Sequence, residues 1–245
     1  MDNKNGVCIA IGNFDGIHKG HDILIKKMIQ IGHERNLNTV ILTFKYSDSS
    51  MRKSANNMKY LMSFDNKIKM LEKYQCTAVE VLELNSQISK YSPTQFIEEI
   101  LINKYNAKHI VVGYNFRFGY KAGGNVETLR ELSKELGYNI TVIDKVISQY
   151  GEGINSTSIR ELIKEGNISK ANELLSDNFR FFENDVKFVD STTCEINNSE
   201  VLVPCDGTYC VNVAGEQANM TISNSLENSI LKFDKNIKKA DIIFK

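Results

Sequence analysis

Ile9-Ala10-Ile11-Gly12-Asn13-Phe14-Asp15-Gly16-Ile17-His18-Lys19-Gly20-His21 decides the fold of this chain. A short apolar strand runs into a glycine-rich turn, and two histidines three residues apart mark the start of a helix. Backbone N–H groups at such a turn face any anion placed there, and the helix dipole adds partial positive charge. Two imidazoles at that spot can donate hydrogen bonds to phosphate oxygens. The stretch reads as a place for moving a nucleotide's phosphate.

Outward from it the chain alternates. Residues 7–12 read as a strand, and 20–35 as a helix with Ile23, Leu24, Met28 and Ile31 inward. Residues 39–44 form a strand whose Val40-Ile41-Leu42 run is the kind covered on both faces. Helices over 63–74, 92–105, 125–136, 156–165 and 168–175 interleave with strands over 78–82, 109–112 and 139–144. Ser92-Pro93-Thr94-Gln95 carries a cap, a proline at the first helical position and a capping-box glutamine. Gly137 and Gly166 stop two of the helices. This alternation means a parallel sheet with right-handed crossovers and ligands beyond the strands' carboxyl ends. The loops over 12–21, 44–53 and 113–124 should therefore share one edge.

After about residue 178 the pattern changes to short β-rich pieces over 186–189, 194–196, 201–203, 208–213, 220–222, 230–233 and 242–244. Phe179-Arg180-Phe181-Phe182 leads into them. The expected architecture is α/β: a Rossmann-like domain over 1–178 with a parallel sheet, and a small antiparallel β domain over 179–245.

The chain of 245 residues is 42% hydrophobic and 24% charged, and its 30 basic and 30 acidic side chains cancel. This balance gives no electrostatic case for nucleic acid or an anionic membrane as partner. The start lacks the pattern of a signal peptide, and no apolar run reaches membrane-span length. Cys8, Cys76, Cys194, Cys205 and Cys210 are scattered without a C-x-x-C, which fits reduced thiols in the cytoplasm. No metal-ligand cluster is evident.

Three clusters carry chemistry. His18 and His21, among Gly12, Gly16 and Gly20, favour phosphate contact over the blander reading of a cap and a solvent-facing residue. Asp15 serves either Mg²⁺ or the turn itself. Gly113-Tyr114-Asn115-Phe116-Arg117-Phe118-Gly119 brackets aromatics, an amide and an arginine after a strand, suited to a planar ring system. The competing reading is a ring anchoring the loop in the core. Asn155-Ser156-Thr157-Ser158-Ile159-Arg160 offers hydroxyls and a planar cation to phosphate, and Ser158–Glu161 has the form of a capping box.

Together these clusters resemble the bacterial FAD synthases, the bifunctional riboflavin kinase/FMN adenylyltransferases. Gly12 to His21 resembles their G-x-F-D-G-x-H-x-G-H, Gly113 to Gly119 their G-x-(D/N)-F-x-F-G loop, and Ser156-Thr157-Ser158-Ile159-Arg160 their S-T-x-I-R. Thr43-Phe44 matches the start of their T-F-x-P-H-P segment. The resemblance covers residues 6–175. It implies a nucleotidylyltransferase that moves AMP from MgATP to FMN, giving FAD and pyrophosphate. It further implies His18, His21 and Arg160 as catalytic and Gly12, Asn13, Phe14, Asp15, Gly16, Ser156 and Thr157 as further ATP contacts. Asn115, Phe116, Arg117 and Phe118 would face FMN, and Mg²⁺ would be held mainly by the ATP phosphates.

The chain also departs from that pattern. Thr43-Phe44-Lys45-Tyr46-Ser47-Asp48 lacks the His and Pro of T-F-x-P-H-P. Beyond residue 178 the kinase motif G-x-P-T-x-N is absent, although Val203 to Val211 resembles the kinase's P-x-x-G-V-Y-x-V strand. The tail reads as a shrunken kinase barrel without kinase activity. Two other functions compete with FMN adenylylation: nucleotidyl transfer to another small phosphorylated acceptor, and non-catalytic flavin or nucleotide binding.

Overall fold

Strand β1 (Val7–Ile11) is buried along its whole length and sits at the centre of a five-stranded parallel sheet. The computed structural model describes residues 5–46, 58–149, 151–225 and 228–245. The chain folds as two compact units. The first comprises Met1–Phe14, Gly20–Asn57 and Ile68–Val146; the second comprises Asp15–Lys19, Met58–Lys67 and Ile147–Lys245.

In chain order β1 leads to α1 (Lys19–Glu34), β2 (Asn38–Tyr46), α2 (Phe64–Glu72) and β3 (Ala78–Leu84); Lys19 and the Phe64–Lys67 turn of α2 belong to the second unit and the rest to the first. Then come α3 (Pro93–Gln95), β4 (Ala107–Gly113), α4 (Val126–Leu136) and β5 (Asn139–Ile143). The strand order is β3-β2-β1-β4-β5, every pair parallel. The connection order reverses at β1, so the crevice where ligands bind in such sheets lies at its carboxyl end. Gly12, Tyr46 and Gly113 all stand on that edge. The expected loop over 44–53 is described only to Tyr46; the remainder lies outside the described residues.

The helices show why the pattern was readable. Ser92 caps α3, accepting from the Gln95 N–H while the Gln95 side chain accepts from Ser92 N–H. Asn125 caps α4, and Gly137 ends it at φ 71°, a left-handed conformation that glycine adopts at little cost. Two details differ from expectation. The stretch Phe96–Lys104 is helical but wound as a π-helix, burying Phe96, Ile97, Ile100 and Leu101. On α1, Ile23 is exposed, and Leu24, Ile25, Met28 and Ile31 form the buried stripe. At about 100° per residue, Ile23 lies outside the arc that these four define.

The second unit contains α5 (Ser156–Lys164), α6 (Ile168–Leu174) and a seven-stranded sheet. Its strands are β6 (Arg180–Phe181), β7 (Val186–Phe188), β8 (Thr193–Ile196), β9 (Gly207–Val213), β10 (Glu216–Asn224), β11 (Ser229–Phe233) and β12 (Ile242–Phe244). All pairs are antiparallel, in the order β6-β12-β9-β10-β11-β8-β7. Burial alternates along β10, with Ala218, Met220 and Ile222 inward. That period of two is the mark of a sheet with one covered face. Phe179, Phe181 and Phe244 pack together, with ring centroids 5.1 to 5.7 Å apart.

One expected strand does not form. Residues 201–203 make only a single parallel bridge, Val201 to Tyr60, and Leu202 N–H donates to Tyr60 O. Pro204 follows immediately and has no N–H with which to extend a ladder. No described helix is long and apolar enough to cross a membrane.

Candidate functional site

The loop after β1 carries three residues in the left-handed region: Phe14 at φ 54°, Gly16 at 79° and Ile17 at 39°. Glycine takes this conformation freely, whereas a β-branched residue such as Ile17 is strained there, at roughly 1–3 kcal/mol. The surroundings hold the loop against that strain. Thr43 Oγ1 donates to Asn13 O at 3.2 Å. Ser156 Oγ donates to Asp15 O at 2.9 Å. Ser176 donates to Ile17 O from its backbone N–H at 3.1 Å and again from its hydroxyl. His18 bridges to Leu175.

Asp15 is a buried carboxylate of the second unit. Its Oδ1 accepts the Leu61 N–H at 3.0 Å, and its Oδ2 accepts from Arg160 Nη2 at 2.5 Å. Arg160 Nε donates to Lys59 O at 3.1 Å. Burial pushes the Asp15 carboxyl above its ordinary pKa, against the opposing pull of Arg160, the Leu61 N–H and Lys67. Both carboxylate oxygens are thus engaged by protein donors, so Asp15 orients the turn. The sequence offers Asp15 to Mg²⁺ or to the turn itself, the resemblance offers both Asp15 and Arg160 to ATP, and neither reading contains the pairing of the two.

His18 is buried, and loss of hydration lowers its pKa to about 4. It is therefore a neutral imidazole at pH 7. His21 lies in the first turn of α1, half-buried, with its ring edge-on to Phe14 at 5.1 Å. Phe14 itself is fully buried, and its ring fills the space beside Gly12. A Cβ on Gly12 would lie 3.1 Å from that ring. Asn13 is exposed on the same loop.

Helix α5 begins differently from its expected cap. Asn155 is the cap, and its side chain accepts from Thr157 N–H at 3.0 Å and Ser158 N–H at 2.9 Å. Ser158 already sits in the first turn, where its hydroxyl finds the Asn155 carbonyl at 3.0 Å, so the Ser158–Glu161 capping box does not form. This leaves Thr157 exposed, with its hydroxyl not needed by the cap. Ser156 is committed to the Asp15 carbonyl.

After β4, the two phenylalanines divide their labour. Phe118 is buried, 5.5 Å from Phe96, and anchors the loop in the core. Phe116 stacks on Phe118 at 5.5 Å with an interplanar angle of 16° and stays half-buried. Asn115 and Arg117 are exposed beside it. Gly119 at φ 73° and Gly124 press against Pro93 and the Phe118 ring, where a Cβ would come within 3 Å.

Lys67 was missed by sequence reasoning. It is buried, with its Nζ 4.8 Å from the Phe64 ring centroid. Desolvation lowers its pKa to about 8, partly offset by attraction to Asp15. The signal was available, since Lys67 lies four residues before the buried Leu71 and so on the same helix face. Among the described residues no group of three or more His, Cys, Asp or Glu could hold a metal ion.

A family model described as FAD synthetase matches residues 1–158. The chain belongs to the FAD synthetase family. A bifunctional riboflavin kinase/FMN adenylyltransferase of Buchnera aphidicola subsp. Schizaphis graminum is 34% identical over 167 residues, covering 68% of this chain and 54% of that protein. One from Haemophilus influenzae is 29% identical over 214 residues, covering 85% and 69%. The chain spans about half the length of the first curated relatives it matches. The crystal structure of a protein described as a macrolide-efflux protein, from Streptococcus pneumoniae, superimposes with a TM-score of 0.77. It is 22% identical, with 98% of this chain and 92% of that one covered, a likeness of fold. The Rossmann-like parallel sheet and the antiparallel C-terminal sheet are the fold of this FAD synthetase family member.

Proposed function

We propose that this chain transfers the adenylyl group of MgATP to FMN. An oxygen of the FMN phosphate attacks the α-phosphorus of ATP, the bond from that phosphorus to the β-bridging oxygen breaks, and pyrophosphate leaves. Such a reaction needs positioning and charge stabilisation more than covalent chemistry from the protein. The observation that carries the reading is the buried contact between Asp15 of the glycine-rich loop and Arg160 of the Ser-Thr-x-Ile-Arg helix. It links two of the family's motifs physically.

In this reading, backbone N–H groups at Gly12 to Gly16 and the side chains of His18 and His21 meet the triphosphate. Thr157 adds its exposed hydroxyl. Ser156, Asp15 and Arg160 hold the loop in the shape that this contact requires. His18, being neutral, contributes a hydrogen bond, and positive charge comes from the helix end and neighbouring cations. Asn115 and Phe116 recognise the flavin, by amide hydrogen bonds and ring stacking. Magnesium arrives as MgATP: both Asp15 oxygens are occupied by Leu61 and Arg160, and Mg²⁺ keeps phosphate and water ligands readily.

The proposal includes the absence of riboflavin kinase activity from residues 179–245, which carry no G-x-P-T-x-N. We take 1–178 as the transferase module and 179–245 as the remnant of the kinase barrel. The test is to incubate the protein with MgATP and either FMN or riboflavin, separating products by chromatography. FAD and pyrophosphate from FMN, with no FMN from riboflavin, are expected. FMN formed from riboflavin would overturn the kinase part, and binding of FMN and ATP without turnover would overturn the transferase part.

A further inference from the structure

The segment Lys59-Tyr60-Leu61, bridged to Val201 through Tyr60, has contacts on both of its sides within the second unit. On one side it pairs with the residues that precede β9. Tyr60 N–H donates to Glu200 O at 2.8 Å, and Leu202 N–H donates to Tyr60 O at 2.8 Å. Lys59 Nζ donates to Ser199 O. On the other side the same residues hold the loop's charged pair. Leu61 N–H donates to Asp15 Oδ1, and Lys59 O accepts from Arg160 Nε.

The segment is fastened a second time a few residues on. Asn66 is 1% exposed and donates to Asp185 Oδ2 at 2.8 Å and to Asn184 Oδ1 at 3.0 Å. Asp185 is equally buried, and its other oxygen accepts from Asn198 Nδ2 at 3.0 Å. Gly16, in turn, lies against Leu61: a Cβ there would come 2.4 Å from Leu61 Cδ1. Asp185, Asn198 and Glu200 therefore connect to Asp15 and Arg160 through backbone hydrogen bonds and buried polar contacts, with no long flexible side chain between Tyr60 and the pair.

From this continuity we infer that the C-terminal β module is a positioning element for nucleotidyl transfer. It holds Lys59–Leu61 in register, and so fixes the Asp15 carboxylate and the Arg160 guanidinium that shape the glycine-rich loop. This gives residues 179–245 a task that needs no kinase chemistry. The inference rests on the adenylyltransferase reading for its effect on turnover, but the mechanical link stands apart from it.

The test uses the full chain with Asn66→Ala, which cuts the second fastening without touching Asp15, Arg160 or the histidines. Hydrogen exchange at the Leu61 amide should speed up by at least tenfold, while the thermal transition stays cooperative. kcat for FAD formation should drop by about tenfold with little change in KM for FMN, since misplacement by about 1 Å can cost as much as 10²-fold. Combined with Asp15→Asn, the Asn66→Ala change should cost almost nothing further, because both act through the same pair. Fully additive losses would mean that Asn66 merely supports general stability and would overturn the inference, as would unchanged exchange at Leu61. Should Asn66→Ala fail to fold, Lys59→Met removes the exposed Ser199 contact and is read in the same two ways. A wild-type protein that makes no FAD would sink the transferase reading, while the exchange measurement would still decide the link.

Discussion

Arg160 Nη2 and Asp15 Oδ2 lie 2.5 Å apart, 145 residues distant in the chain, with their side chains only 6% and 3% exposed. A pair taken this far out of water gains little over an apolar replacement of both partners. Removing one partner is another matter, because the survivor is left charged and unsolvated.

Asp15→Asn and Arg160→Met should therefore each cost roughly 3–5 kcal/mol of stability. Urea denaturation followed by circular dichroism measures this directly. The two together should cost much less than the sum of the singles, which is the mark of a direct interaction. A loss of under 1 kcal/mol from either single change would match an exposed pair and contradict the buried geometry.

His21→Ala should leave stability nearly untouched, since the ring is half-buried at the start of α1. Turnover should fall by about 10²-fold or more if the imidazole donates to charge building on the bridging oxygen. Initial rates of pyrophosphate release at saturating MgATP and FMN give the number. A rate within threefold of wild type would reduce His21 to a helix-end residue packed on Phe14.

The fold was largely legible because its signals are local. Continuous apolar runs such as Val40-Ile41-Leu42 mark strands covered on both faces, and Ser92-Pro93-Thr94-Gln95 and Asn125 write their own caps. What escaped was set by long-range contact. The pairing of Asp15 with Arg160 depends on a chain path that no spacing reveals. Val201 looked like a strand residue because β-branched and apolar runs favour strands, yet Pro204 and Tyr60 limit it to one bridge. Asn155 took the cap from Ser158 because the helix starts three residues earlier than the Ser-x-x-Glu pattern suggested. Lys67 was passed over since a lysine at a helical position usually faces water, and burial against Phe64 and attraction to Asp15 reverse that preference.

Gly16→Ala tests the loop's shape. The position has φ 79°, and the added Cβ would meet Leu61 at 2.4 Å. Strain and overpacking should together cost about 2–4 kcal/mol. The thermal midpoint should drop accordingly, and KM for ATP should rise in the surviving folded protein. A midpoint within a degree of wild type would show that the loop relaxes freely.

In the proposed reaction, flavin recognition is separable from ATP recognition. Phe116 stacks on the buried Phe118, while Asn115 is exposed beside it. Phe116→Ala should raise KM for FMN by about tenfold, as the loss of one aromatic stacking contact of roughly 1–1.5 kcal/mol implies. KM for ATP should hold. Steady-state kinetics varying each substrate in turn decide it, and equal changes in both would point to a disordered loop instead.

The last expectation concerns acid. His18 titrates near 4 in the folded chain because burial strips its hydration, against 6.5 when unfolded. Between those values the unfolded state binds the extra proton, so stability increases with pH across that window. The contribution is complete above pH 6.5 and disappears as the pH falls toward 4. Its full size is about 3 kcal/mol, from about 2.5 pH units at 1.36 kcal/mol each. His109 also falls to about 4, through burial first and then the charges of Arg35 and Lys27, so wild type should lose stability steeply over this range. His18→Asn removes one of the two titrations, and its stability should decline more shallowly from pH 6.5 to 4 than that of wild type. Parallel curves for the two proteins would place His18 in contact with water and remove the basis for treating it as a neutral donor.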